Sequence, residues 1–136
     1  MVTAIYDYRD ANGDLLYQVC RGTTVDGKKK FCQRRPDGNG GWILNLDGVE
    51  QVLYRLPELL RADPSVPVYI PEGEKDVDNL IALGLVATCN PGGAGKGRWK
   101  PSFSELLRNR TVIVLPDNDE TGRAHAERVA RSLLGQ

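Results

Sequence analysis

The chain has 136 residues, and its 18 basic and 18 acidic side chains give a formal net charge of zero. This length supports one compact core, and the balanced charge excludes a global field that would draw the whole chain onto nucleic acid or a membrane. Any site for a polyanion must therefore be local.

Cysteine and histidine are scarce, with three and one in the chain. Their number and spacing exclude a zinc finger or ribbon within the chain, and also a disulfide framework. Cys20, Cys32 and Cys89 are expected to behave as small hydrophobes. No apolar run reaches the length of a membrane span, and the first residues do not form a signal-peptide core. The sequence predicts a cytoplasmic protein that stays out of the membrane.

The first half of the chain has the pattern of antiparallel hairpins. Short β-prone runs at residues 4–9, 15–21, 30–34 and 42–46 are separated by turn signals such as Asn12-Gly13-Asp14. A short helix is predicted at 57–61, and Asp63-Pro64 then indicates a break. Residues 1–63 are therefore predicted to form a β-rich amino-terminal subdomain.

After that break, strands and helices alternate, which favours a parallel sheet flanked by helices. Strands are predicted at 66–70, 85–89 and 111–116, and helices at 76–83, 102–109 and 120–134. The helix at 102–109 is expected to bury Phe103, Leu106 and Leu107. The fold class is α/β, with 64–136 as its second part. An open sheet that ends on a helix also predicts truncation at the carboxyl-terminal end.

Two acidic motifs each follow a parallel strand that is predicted to be buried, at the edge where ligands gather in open α/β sheets. The first is Glu72-Gly73-Glu74-Lys75-Asp76, and the second is Asp117-Asn118-Asp119-Glu120-Thr121-Gly122. Residues two apart on an extended segment point the same way, so Asp117 and Asp119 should project together and face Glu72. Carboxylate oxygens suit magnesium bound to phosphates. Gly73 is expected to allow a sharp turn, and Gly122 a close approach of the last helix.

Aspartates after strands are also ordinary turn formers and helix starters. For either motif alone that reading is favoured. The two motifs together, at corresponding edges of one sheet, favour a functional site instead.

Glu72-Gly73 followed by Asp117-x-Asp119-x-x-Gly122 resembles the Toprim domain of primases, topoisomerases, recombination mediators and nucleases. The resemblance covers residues 66–134. Within that superfamily, the motif after the first strand, the glycine-rich loop at 90–96 and the second acidic motif look most like primases and primase-helicases of phages and other mobile elements. The segment at 53–59 is similar to the one that precedes Toprim in those proteins.

The resemblance implies a Toprim-type, Rossmann-like sheet in which Asp117 and Asp119 bind Mg²⁺, with Mn²⁺ as a substitute. Glu72 would either share the metal or act as general acid or base. Single-stranded DNA, nucleoside triphosphates and a helicase domain, in the same chain or a partner, are the implied partners. The chain departs from replicative primases in lacking a further acidic pair and a zinc module, and nothing marks a tyrosine as a topoisomerase nucleophile.

The glycine-rich loop imitates a phosphate-binding P-loop, but Asn90 and Gly97 stand where that motif needs glycine and serine or threonine. The Walker interpretation is rejected. The loop could still contact phosphates or nucleic acid through its amides and basic side chains. The expected contacts are Lys75, Lys96, Arg98 and Lys100. Trp99 is expected either to stack on a base or to pack against the protein.

Three further patterns in the sequence carry less weight as functional signals. The second acidic motif matches the Asp-x-Asp-x-Thr nucleophile of dehalogenase-like phosphatases, but too little chain follows it. The basic residues 28–30 and 34–35 are read first as a solvated strand edge, with a single-strand DNA contact as the alternative. His125 is expected at the surface because its neighbours are polar.

Three functional hypotheses follow. The first is the Toprim domain of a DNA primase-like protein, which performs magnesium-dependent nucleotidyl transfer for primer synthesis on single-stranded DNA. The second keeps the metal and makes the reaction hydrolytic, as in a Toprim nuclease. The third is a non-catalytic module that binds DNA or docks a helicase.

Overall fold

The amino-terminal part forms a four-stranded antiparallel sheet. A computed structural model describes residues 1–135. The strands are β1 (Val2–Arg9), β2 (Leu15–Thr23), β3 (Lys29–Pro36) and β4 (Trp42–Ile43), and they lie in the order β1-β2-β3-β4. The predicted hairpins are confirmed, although β4 is shorter than the predicted run at 42–46. Gly13, at φ 88°, lies in the first hairpin turn and needs the freedom that glycine has there.

One face of this sheet is buried because alternate residues of a strand point to the same side. Tyr8 of β1 lies opposite Tyr17 of β2, and their rings stack with centroids 4.7 Å apart. Both tyrosines and Val19 are fully buried. Large aromatic rings at these positions supply much of the apolar area that this small sheet can bury.

The irregular segment at residues 52–54 connects the two parts of the protein through hydrogen bonds. The Tyr17 hydroxyl donates to the Val52 carbonyl at 3.1 Å and accepts from the Val52 amide at 3.2 Å. Two residues on, the Tyr54 amide donates to the Cys89 carbonyl at 2.9 Å. One short segment is therefore hydrogen-bonded to both parts of the protein.

The second part is a small parallel sheet flanked by helices. Its strands are β5 (Val68–Pro71), β6 (Val86–Ala87) and β7 (Val112–Leu115), and their order is β6-β5-β7. The helices are α1 (Leu56–Arg61), α2 (Glu74–Ala82), α3 (Pro101–Leu106) and α4 (Glu120–Leu134). The mixed α/β class and the alternation of strands and helices are confirmed. The bounds of α4 match the prediction.

Two hydrophobic clusters hold these layers together. One lies between the antiparallel sheet and α2, and the other lies under α3 and α4. The first comprises Tyr8, Tyr17, Val19, Val52, Tyr54, Leu56, Val77, Ala87 and Cys89. The second comprises Leu53, Leu59, Val68, Ile70, Phe103, Leu107 and Val129. The first cluster takes residues from both sides of position 63, where the sequence predicts a boundary.

Two expectations about burial are wrong. The strand at 111–116 was expected to be buried, but β7 is an edge strand whose Ile113 and Leu115 are 37% and 38% exposed. Leu106, the last residue of α3, is 41% exposed, whereas Phe103 and Leu107 are buried as expected. Among residues 1–135, no helix is long and apolar enough to cross a membrane.

Replacing Tyr17 with phenylalanine tests the connecting segment. The ring stack on Tyr8 is kept, but the Val52 amide and carbonyl each lose a buried hydrogen bond. We expect the free energy of unfolding to fall by about 1–3 kcal/mol in urea titrations. The matched change Tyr6→Phe, at a half-buried tyrosine of the same sheet, should cost less than about 0.5 kcal/mol. Equal losses in the two variants would contradict this role of Tyr17.

Candidate functional site

The register of the parallel sheet brings the two acidic motifs to one edge. β5 pairs with β7 in parallel, and Pro71 lies opposite Leu115 at the carboxyl ends of both strands. Glu72 directly follows Pro71, and Asp117 comes two residues after Leu115. The motifs therefore leave neighbouring strands at the same level.

Gly122, in the first turn of α4, shows how closely these groups approach each other. A Cβ atom built on this glycine would lie 2.6 Å from Glu72 Oε1, 2.8 Å from the Asp117 carbonyl oxygen and 3.0 Å from Asp119 Oδ1. Atoms of all three acidic residues thus surround one backbone position. The helix can start this close to the sheet because the residue has no side chain.

Asp119 also caps α4. Its Oδ1 accepts a hydrogen bond of 2.5 Å from the Gly122 amide, and its own amide donates to the Asp117 carbonyl at 2.8 Å. The helix-starting role considered for these aspartates is therefore present in the structure. The cap uses one oxygen of Asp119 and leaves the other free to bind something else. The side chains of Asp117 and Asp119 lie at the surface.

Glu72 has the unusual electrostatic environment. Its Oε1 is buried and has no hydrogen-bond partner among the described residues. The pKa of Glu72 is raised from 4.5 to about 7, first by burial, then by the approach of the Asp117 side chain and by the charges of Asp117 and Asp119. Two carboxylates this close are stable only if a proton or a cation lies between them. The site therefore favours one of these two.

The chemistry of these oxygens fits magnesium. Glu72, Asp117 and Asp119 carry carboxylate oxygens, which are hard ligands of the kind that Mg²⁺ prefers. Within residues 1–135, no group of three or more His, Cys, Asp or Glu side chains is placed so that together they could hold a metal ion. Mg²⁺ usually keeps several waters and takes one or two carboxylates from a protein. Glu72, Asp117 and Asp119 are consistent with a site of this kind, in which one or two of the three are ligands.

Gly73 does not have the role that the sequence suggested. Its backbone is extended, with φ −130° and ψ 161°, and nothing lies within 4 Å of the position where a Cβ would stand. The predicted sharp turn beside Glu72 is absent because the chain passes from β5 into α2 through ordinary dihedral angles. Any residue could adopt this conformation.

Lys75 lies beside a groove of about 580 Å³ between the antiparallel sheet and the start of α2. Arg21, Lys29 and Glu74 also line it, together with Gly73, the residue that follows Glu72. A second groove of about 320 Å³ shares Arg21 and Lys29 and reaches Phe31, which is 48% exposed. The Arg21 guanidinium carbon stands 5.1 Å from the centre of the Phe31 ring. Basic side chains and one exposed aromatic ring thus line two neighbouring grooves, one of which includes Gly73 beside Glu72.

The other predicted contacts belong to the glycine-rich loop at 90–100. Lys96 and Arg98 are exposed, and neither forms an ion pair with any residue that the structure describes. The Arg98 side chain lies over the backbone of Gly92, while Lys100 precedes α3 as its cap residue. Trp99, for which two roles were open, packs edge-on against Phe103 and donates to Ser104 Oγ at 2.8 Å.

Sequence reasoning missed three buried polar residues near this edge. Glu74 is 2% exposed, and its Oε1 lies 3.5 Å from the Arg21 guanidinium. Burial raises the pKa of Glu74. His125 is 3% exposed and bonds to the equally buried Asn90. The expectation of a surface histidine is wrong because Gly122, His125 and Val129 fall on one helical stripe. That spacing of three and four residues was the available signal.

No family model matches the chain. A segment of 101 residues, 74% of this chain, is 35% identical to the "Gene 57 protein" of Mycobacterium phage D29. The matched segment covers 63% of that phage protein, so the chain spans less than two thirds of its length. That name states no activity.

Replacing Gly122 with alanine tests the close approach. Alanine favours a helix over glycine by about 1 kcal/mol, but its Cβ would meet a backbone oxygen of Asp117 that cannot move freely. We expect a net loss of about 1–3 kcal/mol in unfolding free energy, together with weaker Mg²⁺ binding by calorimetry. Gly135→Ala is the control, because its Cβ has ordinary contacts at 3.5 Å and beyond. A stabilised Gly122→Ala protein would contradict the packing described here.

Glu72 also predicts a pH dependence in metal-free protein. The folded state binds this proton more tightly than the unfolded chain, whose carboxyl titrates near 4.5. The stability that the group contributes is therefore complete below about 4.5 and is lost as pH rises through about 7. Urea titrations at pH 5 and pH 8, with a chelator present, should show this fall in the wild type and a smaller fall in Glu72→Gln. Identical falls in the two proteins would refute the shift.

Proposed function

We propose that the chain is a Toprim-type domain of a DNA primase-like protein that performs magnesium-dependent nucleotidyl transfer during primer synthesis on single-stranded DNA. The observation that carries the proposal is the convergence of Glu72, Asp117 and Asp119 on Gly122, at the carboxyl ends of adjacent parallel strands. Asp117 and Asp119 would hold Mg²⁺ or Mn²⁺, and Glu72 would share the ion or move a proton.

The electrostatics of the site support this assignment. Three carboxylates held together repel one another, and the unpartnered oxygen of Glu72 lacks any compensating donor in the described residues. A divalent ion would offset this cost and, when bound, would neutralise charge that develops on phosphate oxygens. Glu72 has a pKa of about 7 in the metal-free site, which suits a group that accepts and returns a proton near neutral pH.

The basic groove supports a polynucleotide partner. Arg21, Lys29 and Lys75 line it and can follow a phosphate backbone, and the exposed ring of Phe31 offers a stacking surface for a base. Gly73, the residue after Glu72, also lines the groove. A single strand bound there would pass near the carboxylates. The chain's similarity to a phage protein agrees with a source among mobile elements, where such primases are expected.

Metal binding and primer synthesis test the proposal in turn. Calorimetry should show saturable Mg²⁺ and Mn²⁺ binding to the wild type that is lost in Asp117→Asn. The same variant should lower template-directed ribonucleotide incorporation by about 10²–10³-fold or more, because it removes a preorganised charge at the reacting phosphate. Glu127→Gln, with the same change of charge on the exposed side of α4, is the control.

Two outcomes would replace this proposal. Nicking of plasmid DNA without added nucleotides, lost in Glu72→Gln, would indicate the nuclease instead. DNA binding that survives removal of all three carboxylates, with no metal bound by the wild type, would indicate a non-catalytic module. Equal incorporation by the wild type and Asp117→Asn would rule out the proposed metal role.

A further inference from the structure

The glycine-rich loop begins at Asn90, whose buried side-chain amide is hydrogen-bonded to the backbone of the same loop. Asn90 is 1% exposed, and its Nδ2 donates to the carbonyl oxygens of Pro91 and Gly93, each at 3.0 Å. These two bonds hold the first turn of the loop. Gly92 and Gly93 have φ values of 84° and 68°, in a backbone region that glycine adopts at little cost and can also leave at little cost. The turn therefore needs the two hydrogen bonds from Asn90 to keep its conformation.

The other end of the same amide is held by α4. Asn90 Oδ1 lies 3.0 Å from His125 Nε2, and both side chains are buried. Because Nδ2 already donates twice, Oδ1 is the atom that must accept, so Nε2 carries the hydrogen. The neutral histidine is favoured because burial, and then the charge of Arg128, lower its pKa. His125 Nδ1 is also buried and has no hydrogen-bond partner among residues 1–135.

The position of this pair on α4 relates the loop to the acidic edge. His125 lies three residues after Gly122, on the same buried stripe, about one helical turn away. The first two turns of α4 therefore fix the carboxylates through Gly122 and the loop through His125. A rigid helix that carries both contacts keeps the loop and the carboxylates in one geometry.

The loop has the composition of an anion-binding segment. Consecutive glycines with positive φ can turn their amides toward one centre, and such concave backbone binds phosphate. Lys96 and Arg98 are exposed and add positive charge, and the Arg98 side chain lies over Gly92 and Gly95. A segment so rich in glycine has many accessible backbone conformations, so this arrangement is populated only if other contacts stabilise it.

We infer that Asn90 and His125 are positioning residues that hold the glycine-rich loop in the conformation in which it binds the triphosphate group of a nucleotide. The inference rests on the proposed function, since it assigns the loop to the phosphates whose transfer the carboxylates would assist. It adds a second, separate element to that site: the carboxylates hold the metal, and the clamped loop holds the anion. Neither Asn90 nor His125 touches the reacting atoms.

Substitutions at position 125 separate the hydrogen bond from simple packing. In His125→Gln the side-chain amide nitrogen can reach the place of Nε2, whereas in His125→Asn it is too short to reach Asn90. His125→Leu removes the bond and keeps an apolar filler. Ser132→Ala is the matched control, because it removes a different hydrogen bond of α4, the 2.6 Å contact with Ser104, about two turns further along.

Two readouts are measured on each protein. Hydrogen exchange of peptides covering residues 91–98 reports the order of the loop, and calorimetry with tripolyphosphate and Mg²⁺ reports anion affinity. We expect His125→Leu and His125→Asn to exchange faster in this loop and to bind tripolyphosphate about tenfold more weakly, a loss of about 1.4 kcal/mol. His125→Gln and Ser132→Ala should keep both properties near those of the wild type. Binding of Mg²⁺ alone should be unchanged throughout.

Each outcome decides the inference separately from the proposed function. Unchanged loop exchange in His125→Leu overturns the clamp, whether or not the protein synthesises primers. If His125→Leu does not fold, the Gln and Asn variants decide, and equal exchange in these two also overturns it. A wild type that binds Mg²⁺ but not tripolyphosphate overturns the phosphate role of the loop and leaves the metal site standing. If the wild type binds tripolyphosphate and Asp117→Asn binds Mg²⁺ as tightly as the wild type does, the proposed metal site is refuted instead.

Discussion

The candidate site depends on the register of one strand pair. β5 and β7 run parallel, with Pro71 opposite Leu115, and the residues that follow inherit this alignment. Side chains alternate between faces along a strand, so a slip of one residue would turn Glu72 away from Asp117. The register is fixed by what the strands bury: Val68 and Ile70 point into the core under α4. The packing of apolar side chains thus sets the distance between charged ones.

That alignment makes the acidic edge an electrostatically unfavourable part of the fold. Burial of one Glu72 oxygen near two aspartates stabilises its protonated form. Among the described residues, the Gly122 amide satisfies one oxygen of Asp119. Asp78, in contrast, accepts hydrogen bonds from the Tyr54 hydroxyl and the Arg55 guanidinium. The contrast separates a carboxylate with donors inside the fold from the Glu72 oxygen, which no described residue satisfies.

Much of the fold follows from local pattern. The hairpins, the alternation of strand and helix and the bounds of α4 could be read from turn residues and apolar spacing, because these depend on neighbours in sequence. The exposure of β7 could not, since an apolar run does not reveal whether a strand has one neighbour or two. The closeness of Glu72, Asp117 and Asp119 could be predicted because neighbouring parallel strands end at the same edge of a sheet. Asn90 and His125 were missed because their bond joins residues 35 positions apart.

The open edge of β7 affects how the molecule behaves when it is concentrated. Within the described chain β7 pairs with β5 alone, and the Ile113 and Leu115 side chains on it are partly exposed. Unpaired backbone beside apolar side chains is a template onto which another strand can add. The formal net charge of zero provides little long-range repulsion to keep two such edges apart. Substitutions on this strand should therefore affect aggregation in solution more than the free energy of unfolding. A lysine at position 113 would add charge to the edge and reduce such aggregation.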